Sequence, residues 1–239
     1  MAKARDQPAS AAERMLRAAA DLLQTGGIEA VSTRAVAAAA GVQPPTIYRQ
    51  FGDKDGLLDA LAGFVLEGYL EQKRLLIDAS RDPGIELRDL WDLHAEFGLN
   101  QPDCYVLTFG QARPGRTVPV AAETVELLTD VIARLGDEGR LRMSVDRATA
   151  YFRSCGAGYI LQQIGTPPDN RDPELSSIIF HDMMAAISTD SKHNRTATSE
   201  LPSRAVALRE ALRDREDLPL SPAERVLLAE WLNRLADSG

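Results

Sequence analysis

Three observations on this 239-residue chain predict an all-α fold. Its apolar residues recur mostly at spacings of about three or four, which line one side of a helix. Alanine and leucine abound, whereas aromatic residues make up only 5%. Breakers at Asp82-Pro83-Gly84, Arg113-Pro114-Gly115 and Thr166-Pro167-Pro168 cut the chain into helix-sized lengths. With 44% apolar residues the chain has enough to bury one small and one larger core. The expected architecture is a three-helix domain over 10–58, a larger helical domain over 59–189, and a polar linker with a helical extension over 190–239.

The first helix is expected from about Ser10 to Thr25, with Ser10 as cap and Glu13 completing a capping box, and with Gly26 and Gly27 as its stop. Met15, Ala19, Leu22 and Leu23 form its apolar stripe, a platform for two further helices. Those two lie in the run Ser32 to Lys54, STRAVAAAAGVQPPTIYRQFGDK. Ser32 or Thr33 caps the second helix, whose apolar side is Val36, Ala37 and Ala40. Gly41 supplies a turn position without a Cβ, and Val42, Ile47 and Phe51 supply the apolar side of the third helix. Two short helices about a Gly-centred turn make a helix-turn-helix, which presents its second helix to a DNA groove. Gln43, Thr46, Tyr48, Arg49 and Gln50 then carry donors and acceptors suited to phosphates and base edges.

From about Ser10 to Leu58 the chain resembles the DNA-binding domain of the TetR family of bacterial transcriptional regulators. The residues that carry the likeness are Val31, Ser32, Thr33, Val36 and Ala37, followed by Gly41, Val42, Thr46, Ile47, Tyr48, Phe51, Lys54, Leu57 and Leu58. It covers about a fifth of the chain, and its Thr-Ile-Tyr-x-x-Phe-x-x-Lys ending sets it apart from other common helix-turn-helix classes. By resemblance, Thr33 and Tyr48 contact phosphate, and Lys54 grips the backbone beyond the recognition helix. Thr33 as a cap alone, and Lys54 as an ordinary surface charge beside Asp53 and Asp55, are the alternatives. Arg34, in the first turn of the second helix, reaches a phosphate or a guanine edge, or is simply solvated. One departure from the family is local: Pro44 and Pro45 open the recognition helix and remove two backbone N–H donors from it.

The net charge of −8 is unevenly spread: residues 1–57 hold seven Lys/Arg against six Asp/Glu, which leaves −9 for the remainder. An acidic body repels a duplex and restricts non-specific binding, so affinity should be site-dependent and salt-sensitive. No segment approaches the roughly 18 uninterrupted apolar residues of a membrane span, and the opening MAKARDQPAS lacks the apolar core of a signal peptide. A cytoplasmic location without a membrane partner is expected.

After Asp53, a cap, a connecting helix is expected from Lys54 or Asp55 to about Ile77, with Leu57, Leu58, Leu61, Phe64, Val65 and Leu66 as its apolar residues. Gly56, Gly63 and Gly68 weaken it, either to allow close packing or to give compliance. In the resembling family such a helix acts as a lever that changes the separation of two reading heads. Further helices are expected at about 85–99, 102–111, 118–139, 144–164 and 173–189. The helix around Ser154, Cys155, Gly156, Ala157, Gly158, Tyr159, Ile160 and Leu161 is apolar or small on all sides. The one carrying Leu175, Ile178, Ile179, Phe180, Met183, Met184 and Ile187 is broadly apolar, so both need a second buried contact. The resemblance makes that contact a four-helix homodimer interface, and a twofold dimer implies a palindromic double-stranded DNA operator.

The resemblance also implies an effector cavity in the larger domain, for a small apolar or amphipathic ligand. Trp91, His94, Phe97, Cys104, Tyr105, Phe109, Phe152, Tyr159 and Gln162 have the composition of such a lining, with core packing the alternative for each. No cofactor or metal is expected. In the tail, Ser203 to Arg215 and a segment opened by the capping box Ser221-Pro222-Ala223-Glu224 read as helices, the latter striped by Leu228, Trp231, Leu232 and Leu235. A small helical enzyme is disfavoured because His94, His181 and His193 are scattered and no nucleophile, metal or phosphate motif appears. Redox control through Cys104 and Cys155 lacks flanking cations to favour a thiolate. A DNA-binding protein without an effector is the remaining alternative.

Overall fold

The computed structural model describes residues 10–110, 119–189, 201–213, 215 and 217–236, and among these every regular element is helical. The breaker Arg113-Pro114-Gly115, His193 and most of the 190–202 connector lie outside the described residues. The chain forms two compact units, Met1–Glu71 with Asn100–Ala122 and Gln72–Leu99 with Glu123–Gly239.

In the first unit α1 (Ala11–Ala30) begins where Ser10 accepts a hydrogen bond from the Glu13 amide (3.1 Å), while the Glu13 carboxylate is taken by Arg17 (2.6 Å). Met15, Ala19 and Leu23 are buried, as their spacing predicts. The regular helix stops at the glycine pair, as expected: Gly27 leaves helical geometry (φ 65°, ψ −172°), and a separate turn carries the span on to Ala30. Gly27 takes the positive φ at no steric cost, which lets the chain turn there and start the short second helical turn. In α2 (Thr33–Ala39) the cap is Ser32, whose hydroxyl accepts from the Ala35 amide (3.2 Å).

Ala40 closes α2, and Gly41 adopts φ 66°. The Val42 amide bonds the Ala37 carbonyl (2.9 Å) and the Gly41 amide bonds that of Ala38 (3.2 Å). That pair of reversed bonds is a Schellman motif, and it fixes the angle at which α3 (Pro44–Phe51) leaves α2. Ile47 is the fully buried residue of α3, with Val42 and Phe51 half-buried beside it. Another positive-φ glycine, Gly52 (φ 83°), ends the helix. Asp53 then caps α4 (Lys54–Leu76) by accepting from the Gly56 amide (2.7 Å). α6 (Pro102–Phe109) packs on α1 in the same unit.

In the second unit α5 (Pro83–Asn100) starts two residues earlier than its apolar pattern suggests. Asp82 accepts from the Gly84 and Ile85 amides (2.8 and 3.1 Å), and Pro83 occupies the first helical position, where no N–H is needed. α7 (Pro119–Asp137), α8 (Val145–Ile164), a 3₁₀ turn (Pro168–Asn170) and α9 (Leu175–Ile187) follow, then α10 (Leu201–Arg213) and α11 (Pro222–Ala236), which pack on each other. At Ser221 the capping box is complete: the Glu224 amide donates to Ser221 Oγ (3.3 Å), and the Ser221 amide donates to the Glu224 carboxylate (2.7 Å). Leu232 of the tail stripe is buried, whereas Trp231 and Leu235 face outward.

Candidate nucleic-acid interface and helical body

Burial of Ile47 on one side of α3 turns Gln43, Tyr48, Arg49 and Gln50 to the other, where all four are exposed. Thr46 is half-buried. Tyr48, 52% exposed, brings its hydroxyl 3.4 Å from that of Thr33. The two residues that the family resemblance assigns to phosphate therefore stand together, one from each helix of the motif. Arg34 and Lys54 are also exposed. Among the described residues no carboxylate forms an ion pair with Arg34, Arg49 or Lys54, although Asp53 and Asp55 flank the lysine.

The proline pair has a defined cost at this surface. Pro44 and Pro45 are the first two residues of α3, and the next amide, Thr46, is bonded to the Gln43 carbonyl (2.8 Å). The first three residues of α3 thus leave no free N–H for a phosphate, and side chains carry more of any contact there.

The residues with an effector-lining composition fall in both units. Cys104, Tyr105 and Phe109 lie on α6 in the first, where the Tyr105 and Phe109 rings pack at a tilt of 41° with centroids 5.0 Å apart. In the second, Trp91 packs against Phe152 (5.7 Å, edge-on), Tyr159 (5.9 Å, stacked) and Phe180 (5.8 Å). The Trp91 indole N–H donates to Ser176 Oγ (2.9 Å). Phe180 and Ser176 were not singled out from sequence, because their α9 pattern reads simply as broadly apolar. Phe97 is buried on α5. Gln162 is exposed on α8 and bonds its neighbour Gln163 (2.7 Å), apart from the ring cluster. A surface groove along α9 is lined by Pro173, Glu174, Ser177, Ile178, His181 and Asp182.

His94 stands beside the rings. Its Cδ2 and Trp91 Cζ3 lie 3.4 and 3.6 Å from where a Cβ on Gly156 would be, so α5 meets α8 closely at that glycine. Burial, reinforced by the charges of Lys73 and Arg153, pushes the His94 pKa down to about 3. Lys73 is itself buried, 5% exposed, with its ammonium on the Thr124 carbonyl. Burial and the Arg153 charge lower its pKa to about 8. Sequence reasoning passed over Lys73 because Glu71-Gln72-Lys73-Arg74 reads as an ordinary solvated helix end. Both thiols are raised by burial, Cys104 also by Asp103, which disfavours the reactive thiolate.

Comparison with known proteins agrees with the geometry. Residues 15–61 match the family model described as bacterial regulatory proteins, tetR family. Over 52 residues the chain is 46% identical to the class A tetracycline repressor protein from transposon 1721 of Escherichia coli, spanning 22% of this chain and 24% of that protein. A longer similarity, 28% over 160 residues, covers 65% of this chain and 80% of the nucleoid occlusion factor SlmA of Marinobacter nauticus. In fold, a TetR-family transcriptional regulator of Haemophilus influenzae superposes with TM-score 0.55 at 18% identity, over 74% of this chain and 96% of that one. Among the described residues no helix is long and apolar enough to cross a membrane. Residues 15–61 thus form a helix-turn-helix domain of the tetR family of bacterial regulatory proteins, carried on an all-helical body.

Proposed function

We propose that this regulator is a cytoplasmic repressor that binds a palindromic operator as a homodimer and releases it when a small molecule enters its helical body. The observation that carries the DNA-binding part is the outward row Gln43, Tyr48, Arg49 and Gln50, flanked by Arg34 and Lys54, with no carboxylate paired to any of the three cations among the described residues. Arg49 and Gln50 address base edges, while Thr33, Tyr48, Thr46 and Lys54 fix the register on phosphates. Family and fold are those of transcriptional regulators rather than enzymes.

The dimer reading is supported by α8 and α9. Tyr151, Ser154, Gly158 and Leu161 form an exposed row on α8 at helical spacing, and Ile178 is 49% exposed on α9. Small residues in such a row let a second copy approach closely. The test is selection of bound duplexes from a random pool. Recovery of an inverted repeat with half-sites about 34–36 Å apart supports the model, and a single asymmetric half-site contradicts it.

A second reading, DNA binding without an effector, is favoured by one observation. The similarity to a protein named a nucleoid occlusion factor runs well beyond the reading head, over 160 residues. A broad small-molecule screen in which nothing altered operator affinity would select it.

A further inference from the structure

Half of the large apolar side chains exposed among the described residues lie on α10 and α11, although these helices are already anchored to the second unit. Val206 Cγ1 and Glu210 Cγ of α10 lie 3.0 and 3.3 Å from where a Cβ on Gly136 would be, so α10 meets α7 closely there. Glu210 is buried and held by Arg209 (2.5 Å) and Arg213 (2.7 Å). α11 packs on α10, and Leu232 and Ala236 are its buried residues. The Arg225 guanidinium ties the start of α11 to the chain before it, donating to the Leu220 and Arg215 carbonyls (3.2 and 3.3 Å). The outer side of α11 is therefore held in place, and packing within the subunit does not account for its composition.

On that side Glu224, Leu227, Trp231 and Arg234 recur at intervals of three, four and three residues, and all four are exposed. They form one helical stripe. Leu227 is 42% and Trp231 52% exposed, so covering them removes a large apolar area from water. The stripe is also symmetric in a particular way. Leu227 and Trp231 stand two residues on either side of Ala229, and Glu224 and Arg234, of opposite charge, stand five residues on either side. Turned end for end, it complements itself. A twofold contact between identical helices requires this, because wherever residue i meets j, j must also meet i. Among the described residues no cation pairs with Glu224, and Arg234 is bonded only along its own helix, to Glu230. A helix resting on a membrane surface carries a surplus of cations beside its apolar face, whereas here two carboxylates border the stripe.

We propose that the outer face of α11 pairs antiparallel with α11 of a second copy, Leu227 against Trp231 of that copy and Glu224 opposite its Arg234. The contact goes beyond the proposed α8–α9 dimer and does not depend on it. Joined to that dimer it makes a tetramer able to hold two operators; alone it makes a dimer. A single pair of helices buries little area, so this step belongs at concentrations well above those at which the α8–α9 dimer stands.

The test is sedimentation equilibrium of the full chain from low micromolar to several hundred micromolar concentration. The parent is expected to double the mass it has when dilute, with Trp231 emission moving to the blue as the indole leaves water. Trp231→Asp should weaken this step about a hundredfold or more and leave the dilute species unchanged. Glu224→Arg and Arg234→Glu each turn two attractive pairs into repulsive ones and should weaken it about tenfold. Both changes together should regain most of the loss. That recovery excludes an effect of Glu224 through its cap on Ser221 alone, because the double variant lacks the cap as well. A mass that stays constant with concentration, a doubling that survives Trp231→Asp, or a double variant no better than the single ones would overturn the proposal. So would a dilute species that itself loses mass in Trp231→Asp, since the stripe would then belong to the α8–α9 dimer. Trp231-dependent binding to phosphatidylglycerol vesicles without any doubling would assign the stripe to a membrane and overturn it too.

Discussion

Arg49, Gln50 and Lys54 are neighbours on the reading head with different expected jobs. A side chain that reads a base edge contributes at one operator position, so Arg49→Ala or Gln50→Ala should cost about 1–3 kcal/mol and relax preference there. Lys54→Ala should instead weaken all duplexes alike and reduce the salt dependence by about one counterion. Competition anisotropy across single-base operator variants at two salt concentrations distinguishes these outcomes, and variants indistinguishable from the parent would remove the three residues from the interface. His94 gives a residue-scale expectation in pH. Its folded-state pKa, near 3, lies below the ordinary value of 6.5. The unfolded chain therefore takes up a proton first, and the contribution of His94 to stability, complete above pH 6.5, is lost as pH falls through that window. Tm measured from pH 7 to pH 4 should fall less in His94→Gln than in the parent. The head was legible residue by residue because its signals are local: Ser32, Gly41 and the Ile47 face act on near neighbours in sequence. The meeting of Trp91 with Phe152, Tyr159 and Phe180 was not, because three separate helices must pack before those residues become neighbours.

Helix ends divide in the same way. Caps formed by neighbouring residues, such as Asp53 at α4 and Ser221 at α11, follow from sequence alone. The short extra turn at 28–30 does not, because it depends on the φ and ψ that Gly27 adopts, which the pattern only permits. The glycines of α4 now separate by role. A Cβ on Gly56 would strike the Phe51 carbonyl, whose carbon would lie 3.1 Å away, whereas nothing lies within 4 Å of one on Gly68. Gly56→Ala should therefore destabilise the protein, and Gly68→Ala should stabilise it by about 1 kcal/mol, the ordinary helix preference of alanine. Chemical denaturation of the two variants checks both signs. If Gly68→Ala gains stability yet loses ligand response, compliance at that point belongs to the switch.

At the scale of the molecule, the proposed dimer depends on α8 facing two ways. Phe152, Gly156, Tyr159 and Ile160 turn into the subunit, and Tyr151, Ser154, Gly158 and Leu161 turn away from it. Gly158→Arg places a charge in that outer row without touching the inner one. It is expected to leave helicity unchanged and to convert the dimer to monomer in analytical ultracentrifugation, with operator binding lost at the same time. A Gly158→Arg protein that remains dimeric would move the interface elsewhere.

The two tryptophans of the chain sit in opposite surroundings: Trp91 is 2% exposed among rings and beside His94, and Trp231 is 52% exposed on α11. The protein thus carries its own optical reporter. Acrylamide should quench the red-shifted emission of Trp231 and spare the blue-shifted emission of Trp91. In a Trp231→Phe background, the remaining fluorescence watches the centre of the second unit alone, so occupancy there can be followed in real time without a label.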